Sequence, residues 1–277
     1  MAARRPVLPI ALTIAGSDSG GGAGAQADLK TFAALDVHGT SVLTCLTAQN
    51  PRRVLAVTGT PPRMVRAQLE AVFSELRPDA VKTGMLYSAG ILRAVAEFWE
   101  SLRPDRRPRL VVDPVMVATS GARLLRPDAV RVLRDRLLPL ATLVTPNLPE
   151  AEVLAGRRLR TPEDLREAAR ELCARHGVAV LAKGGHLRTG GEAMDLYQDG
   201  RTELLLTSPR VRGVHTHGTG CTLSAAITAW MARGATVAEA VVRGKDFIQR
   251  AIAEARRAGR HDVLDPLRAA PPGARPR

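Results

Sequence analysis

LPIALTIAGSDSGGGAG, residues 8–24, sets the pattern on which the rest of the chain is read. An apolar run from Leu8 to Ala15 reads as a buried strand, and GSDSGGGAG at 16–24 follows it at once and leads into a helix. Five more apolar, β-branched runs behave the same way: Ser41 to Leu46, Ala80 to Lys82, Leu110 to Val112, Leu143 to Thr145 and Val178 to Ala182. Each ends in a polar signature, respectively TAQN (47–50), KTGM (82–85), DPVM (113–116), TPNLPE (145–150) and KGGH (183–186). Helical patterns lie between them, for example Pro62 to Leu76 and Ser88 to Leu102. Capping boxes at Thr161 with Asp164 and at Thr236 with Glu239 open two more. The first of these helices closes at Gly177.

Such alternation predicts an α/β fold with a mostly parallel central sheet covered on both faces. In that fold the six polar signatures fall on one sheet edge, at the carboxyl ends of strands, where ligands bind. Ala193 to Gln198, Asp199-Gly200 and Arg201 to Thr207 interrupt the rhythm and read as a β-hairpin. The chain is read as one domain over 1–265, followed by a disordered tail at 266–277, PLRAAPPGARPR.

Composition narrows the partners. A formal charge of +13 invites a nucleic-acid reading, but aromatics are only 3% and the arginines come in scattered doublets, so stacking platforms and a basic stripe are absent. The charge is read as a solvated surface. Only four of the 40 basic residues are lysine (Lys30, Lys82, Lys183 and Lys245), which marks them for work needing a compact point charge. Cys45, Cys173 and Cys221 form no C-x-x-C pair and fit a reducing compartment, the cytoplasm. Arg4-Arg5 and the apolar run after them imitate a secretory signal, but Pro9 interrupts the run, which also reads as the first core strand. The uncharged stretch 213–232 carries too much His, Thr, Ser and Gly for a membrane span.

Several motifs carry chemistry. HTHGTGCT, residues 215–222, is a glycine turn running into the apolar helix pattern LSAAITAWMA. Unpaired N–H groups at such a helix start, with the positive end of the helix dipole behind them, make an anion site. Cys221, held in that field, is expected to favour its thiolate and to serve as base or nucleophile; a helix cap beside a buried cysteine explains the same letters. Asn147 and Glu150 give an N-x-x-E spacing of hard oxygen ligands suited to Mg2+, and equally a helix cap. Asp113 could orient a metal-bound water or accept backbone bonds, and the Gln49 amide suits the donor–acceptor edge of an aminopyrimidine or a turn. Gly20, Gly22 and Ala25 satisfy a dinucleotide pattern, but no ribose acid stands at the right distance, and a Walker A loop is absent. His215 and His217 lack a third ligand at plausible spacing for zinc.

Taken jointly, IAGSDSGGGAGAQADLKTF, LTAQN, VKTGML, DPVM, TPNLPEAEVLAG, LAKGGH and THGTGCTLSAAI resemble the hydroxymethylpyrimidine/phosphomethylpyrimidine kinase family of thiamine biosynthesis, from about residue 10 to residue 255. The resemblance implies a three-layer ribokinase-like sandwich, ATP with Mg2+, and a homodimer. It implies that Gln49 bonds the pyrimidine while Gly16, Asp28 and Met85 line its pocket. Lys183 would meet ATP phosphates, with Gly218, Thr219, Gly220 and Cys221 forming the anion hole and Cys221 acting as base. Asp113, Asn147 and Glu150 would attend the metal. Pro51 departs from the threonine often found there and fixes φ beside the substrate amide. The competing readings are a pyridoxal or pyridoxine kinase on the same fold, an NAD-dependent oxidoreductase, and a catalytically silent pyrimidine-binding regulator.

Overall fold

A computed structural model describes residues 7–116, 125–185, 187, 192–211, 214 and 217–271. Arg4-Arg5, His186, His215 and residues 272–277 therefore lie outside the described residues. In chain order the elements are β1 (Ile10–Asp18), α1 (Gly24–Ala34), β2 (His38–Asn50), β3 (Arg53–Gly59), α2 (Pro62–Glu75), β4 (Ala80–Thr83), α3 (Ala89–Ser101) and β5 (Arg109–Val112). There follow α4 (Pro127–Val132), β6 (Leu143–Val144), α5 (Leu148–Ala155), α6 (Pro162–His176), β7 (Ala179–Lys183), β8 (Glu192–Gln198), β9 (Glu203–Pro209), α7 (Thr219–Ala232) and α8 (Val237–Ala253). A small ribbon, β10 (Arg256–Ala258) with β11 (His261–Val263), and α9 (Pro266–Ala269) complete it.

The main sheet has the order β3-β2-β1-β4-β5-β6-β7-β8-β9. The six central strands run parallel, and β3, β8 and β9 are added through antiparallel pairings at the two ends. Alternate side chains of the central strands feed two cores. Leu12, Ile14, Val81, Leu110, Val112 and Val144 pack with apolar residues of α2 to α6 on one face. Ala11, Ala80, Val111, Leu143 and Leu181 pack with α1, α7 and α8 on the other. Helix α7 is buried from Thr222 to Met231, which is why its sequence is apolar nearly all round.

Both expected capping boxes form, at Thr161 with Asp164 and Thr236 with Glu239, and Gly177 closes α6 in the left-handed region at φ 66°. Ser88 caps α3. The hairpin turns at Asp199-Gly200, where Gly200 has φ 87° and Asp199 Oδ1 accepts the N–H groups of Arg201 and Thr202. Strand β3 is absent from the sequence reading: its residues are mostly exposed, so no apolar alternation marks it. The stretch after 265 differs too, because Asp265 caps α9 and Ala269 is buried against the α1 and α8 side of the sheet, where a disordered tail was expected.

Candidate active site

The carboxyl ends of the parallel strands and the start of α7 enclose a cavity of about 660 Å3. That is the size range of a small-molecule site. All six strand-end signatures and the helix turn contribute wall, through Gly16, Gln49, Met85, Asp113, Glu150, Lys183 and Cys221 among others.

At one end the groups are ionised. Lys183, the last residue of β7, places Nζ 3.1 Å from Asp113 Oδ1, beyond the end of β5. Thr145 Oγ1 donates to the same oxygen and Ser224 Oγ to Oδ2. Burial opposes the charge on Asp113, yet Lys183 and Lys82 hold it below the ordinary carboxylate range. Burial also opposes the Lys183 ammonium, and Asp113 with Glu150 keeps it above the usual lysine range. A β-bridge between Asn147 and Lys183 brings the start of α5 alongside.

Asn147 is the N-cap of α5: its Oδ1 accepts the Glu150 N–H at 3.0 Å, and Glu150 Oε2 accepts the Asn147 N–H at 2.9 Å. The cap reading of this pair is thus real, and the cavity location adds to it. Burial, with the Asp113 charge added, raises Glu150 to about 7 against the pull of Lys183 and of the Asn147 and Met116 N–H groups. Two buried carboxylates beside one cavity are a hard-oxygen set that a divalent cation would relieve, so the residues fit Mg2+. Among the described residues no three His, Cys, Asp or Glu side chains group as metal ligands. An ion here would therefore need phosphate oxygens and water to complete its shell.

Facing these groups is the first turn of α7. Gly218 is its N-cap at φ 88°, and a Cβ there would sit 1.8 Å from the Gly22 carbonyl oxygen, so only glycine lets the two loops meet. A Cβ on Gly220 would lie 3.5 Å from Lys183 Nζ, which shows how closely the lysine approaches the turn. Thr219 and Cys221 complete the wall. The expected thiolate is corrected by the surroundings: burial pushes the Cys221 thiol up to about 11, and Asp28 and Asp113 add to the rise while Lys82 and the Gly24 N–H oppose it. Helix-dipole reasoning omitted the two carboxylates and the burial.

The wall built by the glycine loop and the ends of β2 and β4 carries one carboxylate, Asp18. Gly16 needs to be glycine, since a Cβ would lie 2.6 Å from Cys45 Sγ. Gln49, near the end of β2, and Met85, just past β4, line the cavity. His217 Nε2 stands 2.9 Å from the Gln49 amide nitrogen and 3.2 Å from Asp18 Oδ2. Asp18 pins the glycine loop by accepting the N–H groups of Gly20, Gly22 and Ala23. Pro51 opens the turn between β2 and β3, where Asn50 Oδ1 accepts the Arg52 and Arg53 N–H groups. The proline thus sits where no donor is needed and leaves Gln49 on the strand.

The family described as "Phosphomethylpyrimidine kinase" matches residues 18–264. The chain belongs to this family.

A hydroxymethylpyrimidine/phosphomethylpyrimidine kinase of Rhizobium meliloti is 53% identical over 249 residues, covering 90% of this chain and 92% of that one. The thiamine biosynthesis bifunctional protein ThiED of Geobacter sulfurreducens is 51% identical over 249 residues, 90% of this chain, which spans only 50% of that longer protein. Among solved structures, a phosphomethylpyrimidine kinase from Clostridium difficile superposes with TM-score 0.76 at 41% identity, covering 88% of this chain and 99% of that one. The pyridoxal kinase of Staphylococcus aureus with AMP-PCP and pyridoxal superposes with TM-score 0.85 at 38% identity, covering 95% of each. The ribokinase-like α/β fold of the family is the one described above.

Within this phosphomethylpyrimidine kinase family member, one residue implied by resemblance is elsewhere. Asp28 does not line the cavity: it is fully buried on α1, with both oxygens on Lys82 Nζ at 2.9 and 3.0 Å and Thr13 Oγ1 donating at 2.6 Å. The charged pair lies beneath the site and acts on Cys221 through its field. Sequence reasoning also missed Asp195 on β8 with Lys245 on α8, 2.6 Å apart, and both line the cavity. The scarcity of lysine was the signal that could have found Lys82 and Lys245.

Proposed function

We propose that this chain transfers the γ-phosphoryl group of ATP to the hydroxymethyl oxygen of 4-amino-5-hydroxymethyl-2-methylpyrimidine, and then phosphorylates that monophosphate to the diphosphate, in thiamine biosynthesis. The observation that carries the reading is the placement of the α7 turn and Lys183 in the same cavity as Gln49. The names of the family relatives support it.

The ring would rest against Gly16 and Met85 and bond to Gln49, with its hydroxymethyl group toward Cys221. The hydroxyl oxygen forms a bond to the γ-phosphorus as the bond to the β,γ-bridging oxygen breaks, ADP leaves, and the hydroxyl proton passes to Cys221 Sγ. The N–H groups of Gly218, Thr219, Gly220 and Cys221, with Lys183, line the same cavity and would meet the charge on the transferring group; such preorganised donors supply most of the catalysis in phosphoryl transfer. Mg2+, when bound, offsets charge on the ATP phosphates. Asp113 and Glu150, with Asn147 beside them, would hold it.

A thiol raised to about 11 is mostly protonated at neutral pH, so turnover limited by the Cys221 thiolate should rise with pH through 7 to 9. Cys221→Ala is expected to lower kcat at least ~100-fold with pyrimidine binding kept, and to lose that pH dependence. Near-normal turnover would rule out the base role. The decisive assay supplies ATP and Mg2+ with the hydroxymethylpyrimidine or with pyridoxal and resolves mono- from diphosphate product. The S. aureus neighbour makes pyridoxal the required control, and a clear preference for it would overturn the reading.

The proposal extends to a homodimer. Leu46 and Leu55 on the paired strands β2 and β3, and Met64 on α2, are more than half exposed near an open sheet edge. Light scattering should give twice the chain mass, and Leu55→Lys should reduce it. One domain over 1–265 predicts a single unfolding transition. A cytoplasmic site of action is consistent with three unpaired cysteines, and cell fractionation tests it.

A further inference from the structure

His217 meets two groups at one ring nitrogen. Nε2 lies 3.2 Å from Asp18 Oδ2 and 2.9 Å from the end of the Gln49 carboxamide. Asp18 offers only acceptors: burial opposes its charge, but the His217 bond and the Gly20 and Ala23 N–H groups hold it below the ordinary carboxylate range. A bare Nε2 would set its lone pair against that carboxylate. A protonated Nε2 donates to Asp18, and it then meets the Gln49 amide favourably only if the amide presents its oxygen. Among the described residues no other side-chain partner holds the Gln49 amide, so its NH2 is the half left for a ligand in the cavity.

We propose that His217 is a specificity-determining positioning residue: clamped by Asp18, its ring N–H turns the Gln49 carboxamide so that the amide NH2, a donor, faces the substrate ring. A site so arranged selects an aminopyrimidine whose ring nitrogen carries a free lone pair and rejects the lactam form, whose ring nitrogen carries a hydrogen. His217 directly precedes Gly218, and Asp18 holds the glycine loop against which Gly218 packs. The same residue therefore ties the ring-recognising amide to the position of the anion turn. This inference rests on the pyrimidine-kinase reading above.

The test compares kcat/KM, with ATP and Mg2+, for 4-amino-5-hydroxymethyl-2-methylpyrimidine and its 4-oxo counterpart. The wild-type chain is expected to prefer the amino compound by ~100-fold or more, because a buried donor facing a donor is left unpaired. His217→Ala should bring the preference within ~10-fold, with the loss for the amino compound larger in KM than in kcat. His217→Gln, which offers an N–H at similar reach, should retain most of it. Gln49→Ala should abolish the preference, and adding His217→Ala to it should change the preference no further. Additive losses would show a merely structural role and overturn the proposal. So would a His217→Ala variant that keeps the wild-type preference, which leaves the kinase reading intact, or a wild-type preference for the lactam, which would put the amide oxygen toward the ligand. A wild-type chain that phosphorylates neither compound sinks both readings together.

Discussion

The cavity floor and the outer surface pair opposite charges with different cations. On the surface the pairs are arginine with glutamate or aspartate, such as Arg66 with Glu70, Arg103 with Asp105 and Arg136 with Glu100, all well exposed on both sides. Around and beneath the cavity they are lysine with aspartate: Lys82 with Asp28, Lys183 with Asp113 and Lys245 with Asp195. The fourth lysine, Lys30, donates to the Gly21 carbonyl and steadies the glycine loop. Arginine's wide planar fork suits a wet surface, whereas a point charge on a narrow stem fits between packed strands and leaves donors for a ligand. Three of the four scarce lysines therefore mark places where a charge is held away from water, and the exposed Lys30 is the exception.

The sharpest way to break that contrast is at Lys82, which has no exposed surface, bonds Asp28 through Nζ and acts by its field on Cys221 and Asp113. Burial works against its ammonium, and Asp28 keeps it charged, above the usual lysine range. Lys82→Met leaves Asp28 as an unpaired buried charge and should cost about 3–5 kcal/mol in urea unfolding. Replacing both, Lys82→Met with Asp28→Leu, should recover most of that stability and part of the turnover, because the opposed pulls of Lys82 and Asp28 on Cys221 are removed together. A Lys82→Met variant as stable as the wild type would mean the pair is not an ion pair.

Lys183 tests the contrast by function. Lys183→Ala should lower kcat/KM by ~10²–10³, the range for one lost transition-state donor, with little change in the unfolding midpoint since the site opens to the cavity. Lys183→Arg should not restore it, because the larger fork cannot occupy the gap below Gly220, whose Cβ position is 3.5 Å from Nζ. Full activity in Lys183→Arg would show that any cation serves there.

How much of this was open to reading depends on whether the cause is local. The capping boxes, the Asp199-Gly200 turn and the strand-end signatures are set by neighbours in sequence, and they were legible. Strand β3 was not, because its exposed residues show no alternation, and α9 was not, because its burial comes from distant helices. Asp28 was misplaced for the same reason: an acid on the core face of α1 makes sense only with Lys82, 54 residues away. The protonation of Cys221 depends on Asp28, Asp113 and Lys82 together.

Glu150 sharpens the point, since the same local motif occurs three times with different outcomes. Asp164 and Glu239, in the exposed boxes, are held below the ordinary range by backbone N–H groups. Glu150, in the cavity, is raised to about 7 by burial first of all. An acid whose folded value lies above 4.5 stabilises the fold while protonated, so this contribution is full below about pH 4.5 and is lost as pH rises toward 7. Glu150→Gln keeps a capping side chain and removes that loss. Without Mg2+ it should be about 3 kcal/mol more stable than wild type at pH 8, with no difference below pH 4.5, and its kinase activity should fall. Glu239→Gln should show neither effect. Equal pH profiles for the two variants would place Glu150 in an environment like the surface.

The smallest effect is expected where the arginines are interchangeable. Arg136 Nη2 lies 2.8 Å from Glu100 Oε2, with both side chains about four-tenths exposed, so water and salt screen the pair. Arg136→Lys should leave the thermal midpoint and kcat/KM where they are, in low salt and in 0.5 M salt alike. A shift of several degrees would mean that surface arginines are chosen for structure as the floor lysines are for charge. The scarcity of lysine would then be a habit of composition, and the agreement between Lys82, Lys183, Lys245 and the cavity would lose its physical basis.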